Sequence, residues 1–148
     1  MIVQHLKLRR ATLFDANKIF EIEIKSFSHR TAALKEEIEK AIVENKIYIY
    51  DICQQTVGYI WIEITNDVCY IESIAVDSDH RGKSYGKEIL ERTLLMLKED
   101  AIIKCVLHVN TTNKIAYHMY KEFGFSNLHL VENFYGENSN AYLMEKIL

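Results

Sequence analysis

Just after the apolar run Ile74-Ala75-Val76 lies a polar segment, His80-Arg81-Gly82-Lys83-Ser84-Tyr85-Gly86, which leads into an apolar helical pattern. A glycine-bearing loop that feeds a helix presents backbone N–H groups without intrahelical partners. They sit at the positive end of the helix dipole, a setting that suits a phosphate or pyrophosphate. Arg81, Lys83 and Lys87 add positive charge, and no acid interrupts residues 80 to 87. The same residues also read as a plain strand-to-helix turn with solvated basic side chains, and both readings stay open. Gly82-Lys83-Ser84 mimics the end of a nucleotide-binding P-loop. That motif needs a glycine five residues before Gly82, where Asp77 stands, and its Lys-Ser pair opens the helix, whereas here the pair precedes it. A P-loop is excluded.

Three side chains are equipped to take a proton. His108 titrates near pH ~6.5 when unperturbed, which suits a base at neutral pH. Tyr70 and Glu72 stand two apart on one predicted strand and so share a face. His108 also reads as a hydrogen-bonded core histidine, and Glu72 as a carboxylate that only faces solvent.

The elements that must position these residues follow from periodicity. Residues 2 to 9 form a short first strand. Thr12 and Asp15 have capping-box spacing, and Ala16, Ile19, Phe20 and Phe27 follow at helical spacing. Leu34, Ile38, Ala41 and Ile42 mark a second helix ending near Asn45. Strands Ile47–Cys53, Val57–Ile64 and Cys69–Val76 are separated by Gln54-Gln55 and Asn66-Asp67, short enough for hairpins. A helix starts near Gly86 and carries Ile89, Leu90, Thr93, Leu94 and Leu97; strand Ile102–Val109 comes next. Thr111-Thr112-Asn113 supplies cap chemistry for a helix with Ala116, Met119, Tyr120 and Phe123, which Gly124 ends. Strands Phe125–Val131 and Tyr142–Ile147 flank a polar loop, Asn133–Asn140. The order β-αα-βββ-α-β-α-ββ predicts an α/β fold: a mixed, mostly antiparallel central sheet with helices on both faces.

Composition narrows the function classes. A chain of 148 residues, 49% hydrophobic and 26% charged, fits one soluble domain spanning 1–148 and excludes disordered or fibrous classes. A net charge of −3 with interleaved signs argues against nucleic acid as partner. Cys53, Cys69 and Cys105 stand far apart, with neither zinc spacing nor a disulfide framework, so no metal site is expected. The start MIVQHLKLRR lacks an apolar leader core, and no run of 18 apolar residues follows. The expectation is a reduced, cytoplasmic protein with no membrane partner.

Ile74-Ala75-Val76 followed by Arg81-Gly82-Lys83-Ser84-Tyr85-Gly86 resembles motif A of the GCN5-related N-acetyltransferases. In that family a Gln/Arg-x-x-Gly-x-Gly/Ala loop binds the pyrophosphate of acetyl-CoA through backbone amides. Ser84 stands where the first motif glycine is usual, and a positive φ there would be strained. Asn113-Lys114-Ile115-Ala116 through Tyr120, then Glu122-Phe123-Gly124-Phe125, resembles the second half of the same fold. The resemblance implies acetyl-CoA as cosubstrate, held by Ile74, Ala75, Val76, Arg81, Gly82, Lys83, Ser84, Tyr85, Gly86, Asn113 and Tyr120. It also implies an oxyanion donor at the Val76 N–H and a proton from Tyr120 to the departing sulfur. Asn113 still reads as a simple N-cap, and Tyr120 as a core aromatic.

Acetyl transfer to an amine needs a neutral nucleophile, hence a base. Leu107-His108-Val109 followed by Asn113 looks like the eukaryotic N-terminal acetyltransferases. In those enzymes a tyrosine matching Tyr70 and a histidine matching His108 relay the proton through water. Glu72 matches the carboxylate base of other members. Glu132-Asn133-Phe134-Tyr135 resembles the Asn-Tyr-Tyr segment of peptide α-amine acetyltransferases, the bacterial ribosomal-protein-alanine type included. Ser26-Phe27-Ser28 resembles their Phe-Pro wall around the first residue. Here the proline is missing and one tyrosine is phenylalanine, and Phe27, Phe134 and Tyr135 also read as loop-closing hydrophobes. The expected activity is acetyl-CoA-dependent N-acetylation of a peptide or protein amine, an N-terminal α-amine before lysine, by a monomer or homodimer. The alternatives are acetylation of a small amine (a polyamine, amino acid or antibiotic) and non-catalytic acyl-CoA binding.

Overall fold

The computed structural model describes residues 7–27 and 32–148. The predicted residues 2 to 6 of the first strand, and Ser28 of the Ser-Phe-Ser segment, lie outside the described residues. The order of elements is the predicted one: β1 (Lys7–Arg10), α1 (Ala16–Ser26), α2 (Lys35–Val43), β2 (Ile47–Ile52), β3 (Gln55–Thr65), β4 (Val68–Val76), α3 (Tyr85–Glu99), β5 (Lys104–Asn110), α4 (Lys114–Glu122), β6 (Ser126–Gly136) and β7 (Ser139–Ile147). The strands form a mixed seven-stranded sheet in the order β1-β2-β3-β4-β5-β7-β6. β4 and β5 run parallel, as they must with α3 as the crossover between them, and every other registered pair is antiparallel.

Chain contacts divide the fold into two compact units. One runs up to Ile62 and resumes over Ser73–Arg92; the other comprises Glu63–Glu72 and Thr93–Leu148. The core of the first joins α1 and α2 to the strands through Ile19, Ile22, Ile38, Ile42, Ile47, Ile49 and Tyr59. In the second, β5 alternates: Cys105, Leu107 and Val109 are buried, while Lys104, Val106, His108 and Asn110 line the half-buried face. That period of two is why His108 stands off the core face.

Three sequence expectations are corrected. The β2–β3 turn is Cys53-Gln54, both at positive φ (48° and 65°), and Gln55 already pairs with Ile52. Leu34 is exposed at the N-cap of α2, outside the buried stripe of Ile38, Ala41 and Ile42. The polar stretch Asn133–Asn140 is mostly strand, not loop. β6 continues to Gly136 and β7 starts at Ser139, with a register irregularity between Val131 and Gly136 that accommodates Asn133 at φ 57°. Phe134 and Tyr135 therefore stand on a hydrogen-bonded hairpin.

The capping signal at Thr12 acts through the carboxylate. Asp15 accepts the Thr12 N–H at 2.8 Å and forms an ion pair with Arg9 at 2.8 Å. None of the helices among the described residues is long and apolar enough to cross a membrane.

Candidate active site

In the first unit, β4 ends at Val76 and the chain turns through Ser78–His80 into the loop that opens α3. The turn is pinned by backbone and side chain. The Asp77 N–H donates to the Val57 carbonyl at 2.7 Å, and the buried Asp77 carboxylate pairs with Lys18 Nζ at 3.0 Å. Burial pushes that carboxyl up, but the hydrogen bond and charge of Lys18 outweigh it and hold the group below the usual carboxylate range.

Gly82 and Ser84 both adopt positive φ, 79° and 63°. A Cβ placed on Gly82 would meet no atom within 4 Å, so this side of the loop is open. The arrangement, with open backbone at the start of a long helix, fits a pyrophosphate. Arg81 folds back: its Nε donates to the Val76 carbonyl at 3.2 Å and its NH2 to Ser26 Oγ at 3.0 Å. The β4–β5 register runs from Val68↔Lys104 to Ile71↔Leu107, so Ile74, Ala75 and Val76 lie past its last pair.

Gly58 on β3 is a further constraint. A Cβ there would sit 2.5 Å from the Ala75 carbonyl oxygen and 3.2 Å from Val76 Cα. β3 thus packs backbone to backbone against the end of β4. No motif flagged Gly58; an isolated glycine in a strand pattern was the available signal.

Also unpredicted is a buried cluster on the same unit. Glu23, 2% exposed, accepts from the Tyr59 hydroxyl, from Ser73 Oγ at 2.7 Å and from the Ala33 N–H at 2.9 Å. Its sequence signal was a carboxylate in the apolar stripe of α1, four and seven residues after Ile19 and Ala16. Phe27 caps α1 through its N–H to the Glu23 carbonyl at 2.9 Å and packs on the same core.

In the second unit, the structure brings Tyr70, His108, Phe134 and Tyr135 together. Tyr70 Oη lies 2.5 Å from His108 Nδ1. The His108 ring stacks on Phe134 with centroids 3.9 Å apart and planes 11° apart. Tyr135 Oη donates to the His108 carbonyl at 3.2 Å, and its ring meets Phe134 edge-on. Burial, then Glu72 and Tyr135, push the Tyr70 phenol well above its ordinary value. Burial and the nearby His129 hold His108 below the usual histidine pKa. At neutral pH Tyr70 is therefore the donor and Nδ1 the acceptor, which puts the imidazole proton on Nε2. Glu72 is exposed two residues along β4.

Tyr120 on α4 is 5% exposed and packs edge-on against Phe125. Burial, then Tyr135 and Cys105, raise its phenol far above neutrality, so it holds its proton. Asn113 caps α4: its Oδ1 accepts the Ala116 N–H at 3.1 Å, which leaves the amide NH₂ as the group able to donate to a ligand.

The mixed sheet, its parallel pair joined through α3 and the open loop that leads into that helix define an α/β architecture. The Acetyltransferase (GNAT) family matches over residues 16–125, and the chain belongs to it. It is an N-acetyltransferase, in a family that uses acetyl-CoA. Among relatives, it is 27% identical over 140 residues to a Bacillus subtilis (strain 168) protein provisionally named a ribosomal protein bS18-alanine N-acetyltransferase, covering 93% of this chain and 91% of that one. It is 27% identical to a Sulfolobus acidocaldarius N-alpha-acetyltransferase, covering 93% and 90%. Among solved structures, Ard1 from Thermoplasma volcanium shares the fold at a TM-score of 0.88 with 23% identity, covering 97% of each chain. The ribosomal-protein-S18-alanine N-acetyltransferase of Escherichia coli follows at 0.85 and 18%, covering 97% and 94%.

Proposed function

We propose that the protein acetylates the α-amine of a peptide or protein N-terminus in the cytoplasm. The observation that carries this reading is the Tyr70–His108 pair beneath Phe134 and Tyr135, an aromatic hairpin of the kind that covers a peptide rather than a compact polar amine. Relatives named for N-terminal and ribosomal-protein alanine acetylation support it.

The roles follow from the protonation states. Amide groups of the Arg81–Gly86 loop take the pyrophosphate of acetyl-CoA, and Ile74, Ala75 and Val76 offer backbone hydrogen bonds to its arm. Asn113 adds a donor through its free NH₂. The acceptor ammonium loses a proton, through water, to the Tyr70 oxygen as Tyr70 passes its own proton to His108 Nδ1. Nδ1 is the vacant basic site, since Nε2 is already protonated. The neutral amine attacks the thioester carbonyl, and the Val76 N–H stabilises the oxyanion. The C–S bond breaks as Tyr120 protonates the thiolate, and the surplus proton on the new amide nitrogen leaves through water, which restores the Tyr120 phenol. In this scheme Glu72 raises the affinity of the Tyr70 oxygen for its proton and is not itself the base. Phe27, Phe134 and Tyr135 wall the acceptor.

The test is product formation from acetyl-CoA on a mixed panel of peptides with free N-termini, N-terminally blocked lysine peptides, polyamines, amino acids and aminoglycosides. Turnover confined to free N-terminal peptides is expected. Turnover confined to small amines overturns the acceptor assignment, and CoA binding without any turnover overturns catalysis.

A further inference from the structure

The β6–β7 hairpin holds one residue of β5 at two points. The Phe134 ring lies on the His108 imidazole, with centroids 3.9 Å and planes 11° apart. Its neighbour Tyr135 donates its hydroxyl proton to the His108 carbonyl at 3.2 Å, and the Tyr135 ring meets Phe134 edge-on at 4.8 Å. Ring and backbone of the same histidine are thus fixed by consecutive residues of another strand.

That grip depends on an irregular strand. Between the registered pairs Val131↔Ala141 and Gly136↔Ser139, β6 has four intervening residues and β7 only Asn140. An irregularity of this kind re-aims a side chain out of the strand's alternation. Two asparagine contacts hold its shape: the Asn133 N–H donates to Asn140 Oδ1 and the Asn138 N–H to Asn133 Oδ1, each at 2.9 Å. Phe134 remains 42% exposed, so the core gains little from it. Its contact with His108 is what the irregularity achieves.

An imidazole needs such a restraint. The torsion about its Cβ–Cγ bond is broad and twofold, and a half-turn swaps Nδ1 for a carbon. The hydrogen bond with Tyr70, at 2.5 Å, favours the orientation with Nδ1 toward the phenol. It leaves the tilt of the plane free, and a tilted ring takes the Nδ1 lone pair out of line with the O–H. The phenyl face sets that tilt.

We propose that Phe134 is a positioning residue for His108: its stacked ring holds the imidazole plane so that Nδ1 stays aligned with the Tyr70 hydroxyl, and Tyr135 anchors the hairpin that carries it. This rests on the Tyr70–His108 relay assigned above. It couples the hairpin assigned to the acceptor with the base that prepares that acceptor.

The experiment compares the parent with Phe134→Leu, Phe134→Tyr, Tyr135→Phe and His108→Ala on one N-terminal peptide. Imidazole nitrogen NMR spectra of the unliganded proteins report the His108 tautomer without any turnover. Leucine keeps apolar bulk but offers no flat face; tyrosine keeps the face. A stacked aromatic pair is worth up to roughly tenfold in an equilibrium, so kcat in Phe134→Leu should fall about three- to tenfold. Peptide KM should move less. The two His108 nitrogen signals, well separated in the parent, should shift toward each other as the second tautomer appears. Phe134→Tyr should restore their separation and recover most of the lost kcat. Tyr135→Phe should show a weaker form of both losses, and it decides by the same measures should Phe134→Leu not fold. Parent-like kcat in Phe134→Leu while His108→Ala is inactive overturns the proposal. A change in KM alone also overturns it and leaves Phe134 a wall, and so do unmoved nitrogen signals in Phe134→Leu. If His108→Ala is as active as the parent, the relay fails instead; if no peptide is turned over, the acceptor assignment fails. In both cases the nitrogen signals alone judge whether Phe134 sets the ring, with unmoved signals counting against it.

Discussion

Tyr70 and His108 meet across adjacent parallel strands, two register positions out of line. Tyr70 is registered with Val106, and its phenol reaches diagonally past it to lie 2.5 Å from Nδ1 of the residue two further on. Such diagonal pairs share a face and suit long aromatic side chains. The contact selects the tautomer of His108.

The pair predicts a pH signature. In the proposed relay protons flow only while Nδ1 is vacant, and burial holds His108 below the usual histidine value. Log kcat/KM should therefore rise as pH increases through an inflection below about 6.5 and then flatten. His108→Ala should remove the inflection. Tyr70→Phe should lower kcat by roughly 10²-fold, the low end for acid–base catalysis, with little change in acetyl-CoA affinity. Profiles measured with one peptide throughout decide it: an inflection that survives His108→Ala but vanishes in Glu72→Gln moves the base to the carboxylate.

Tyr120 gives a second, separable prediction. Its phenol is buried and held protonated, so it can donate once the thiolate leaves. Tyr120→Phe removes the donor but no ring, and the edge contact with Phe125 survives. Single-turnover rates should fall about 10²- to 10⁴-fold, while the CoA-induced rise in melting temperature is preserved. An unchanged single-turnover rate returns Tyr120 to a purely structural role.

The element order and the two loop-to-helix motifs were legible because periodicity and cap chemistry are local properties. Ile38, Ala41 and Ile42 had to share a helix face, and Gly124 had to end α4. Polar composition misled at Asn133–Asn140, where Phe134 and Tyr135 belong to a strand: the asparagines there serve the hairpin backbone, Asn140 Oδ1 accepting the Asn133 N–H and Asn133 Oδ1 the Asn138 N–H. Glu23 was legible only as an oddity in an apolar stripe. Its partners Tyr59 and Ser73 stand 36 and 50 positions away, a distance that no local pattern spans. Gly58 shows the same limit, since the atoms that exclude a side chain belong to β4.

That close approach makes Gly58→Ala a sharp test of the strand end. The new Cβ would meet backbone atoms, the Ala75 oxygen at 2.5 Å and Val76 Cα at 3.2 Å, as well as Ile89 Cδ1 at 2.9 Å. A flexible side chain could yield, but a paired strand yields only by moving. Overpacking of this kind costs about 1–3 kcal/mol, so the melting temperature should drop by roughly 3–10 °C. Because the displaced residues are those assigned to acetyl-CoA, its Kd should weaken as well. A variant as stable as the parent, with parent-like affinity, would mean the two strands are less closely packed than described.

Ser84 supplies the opposite test, a substitution that should relieve strain. It takes φ 63° at the entry to α3, and its carbonyl accepts the Glu88 N–H at 3.2 Å as the helix begins. A non-glycine residue in the left-handed region carries about 1–2 kcal/mol of steric cost. Glycine removes that cost but adds conformational entropy to the unfolded chain, roughly 0.5–1 kcal/mol. Losing a serine at a helix entry in favour of glycine costs only about a few tenths of a kcal/mol. The balance favours Ser84→Gly by about 0.5 kcal/mol, a rise of about 1–2 °C in melting temperature for a chain of this length. The backbone amide is untouched, so acetyl-CoA affinity should hold or tighten. Ser84→Val, which brings a branched Cβ into the same conformation, should lower both stability and affinity. Calorimetry and thermal melts on the two variants settle the matter: a glycine variant that loses affinity for acetyl-CoA would show that the serine side chain, not only its amide, binds the pyrophosphate.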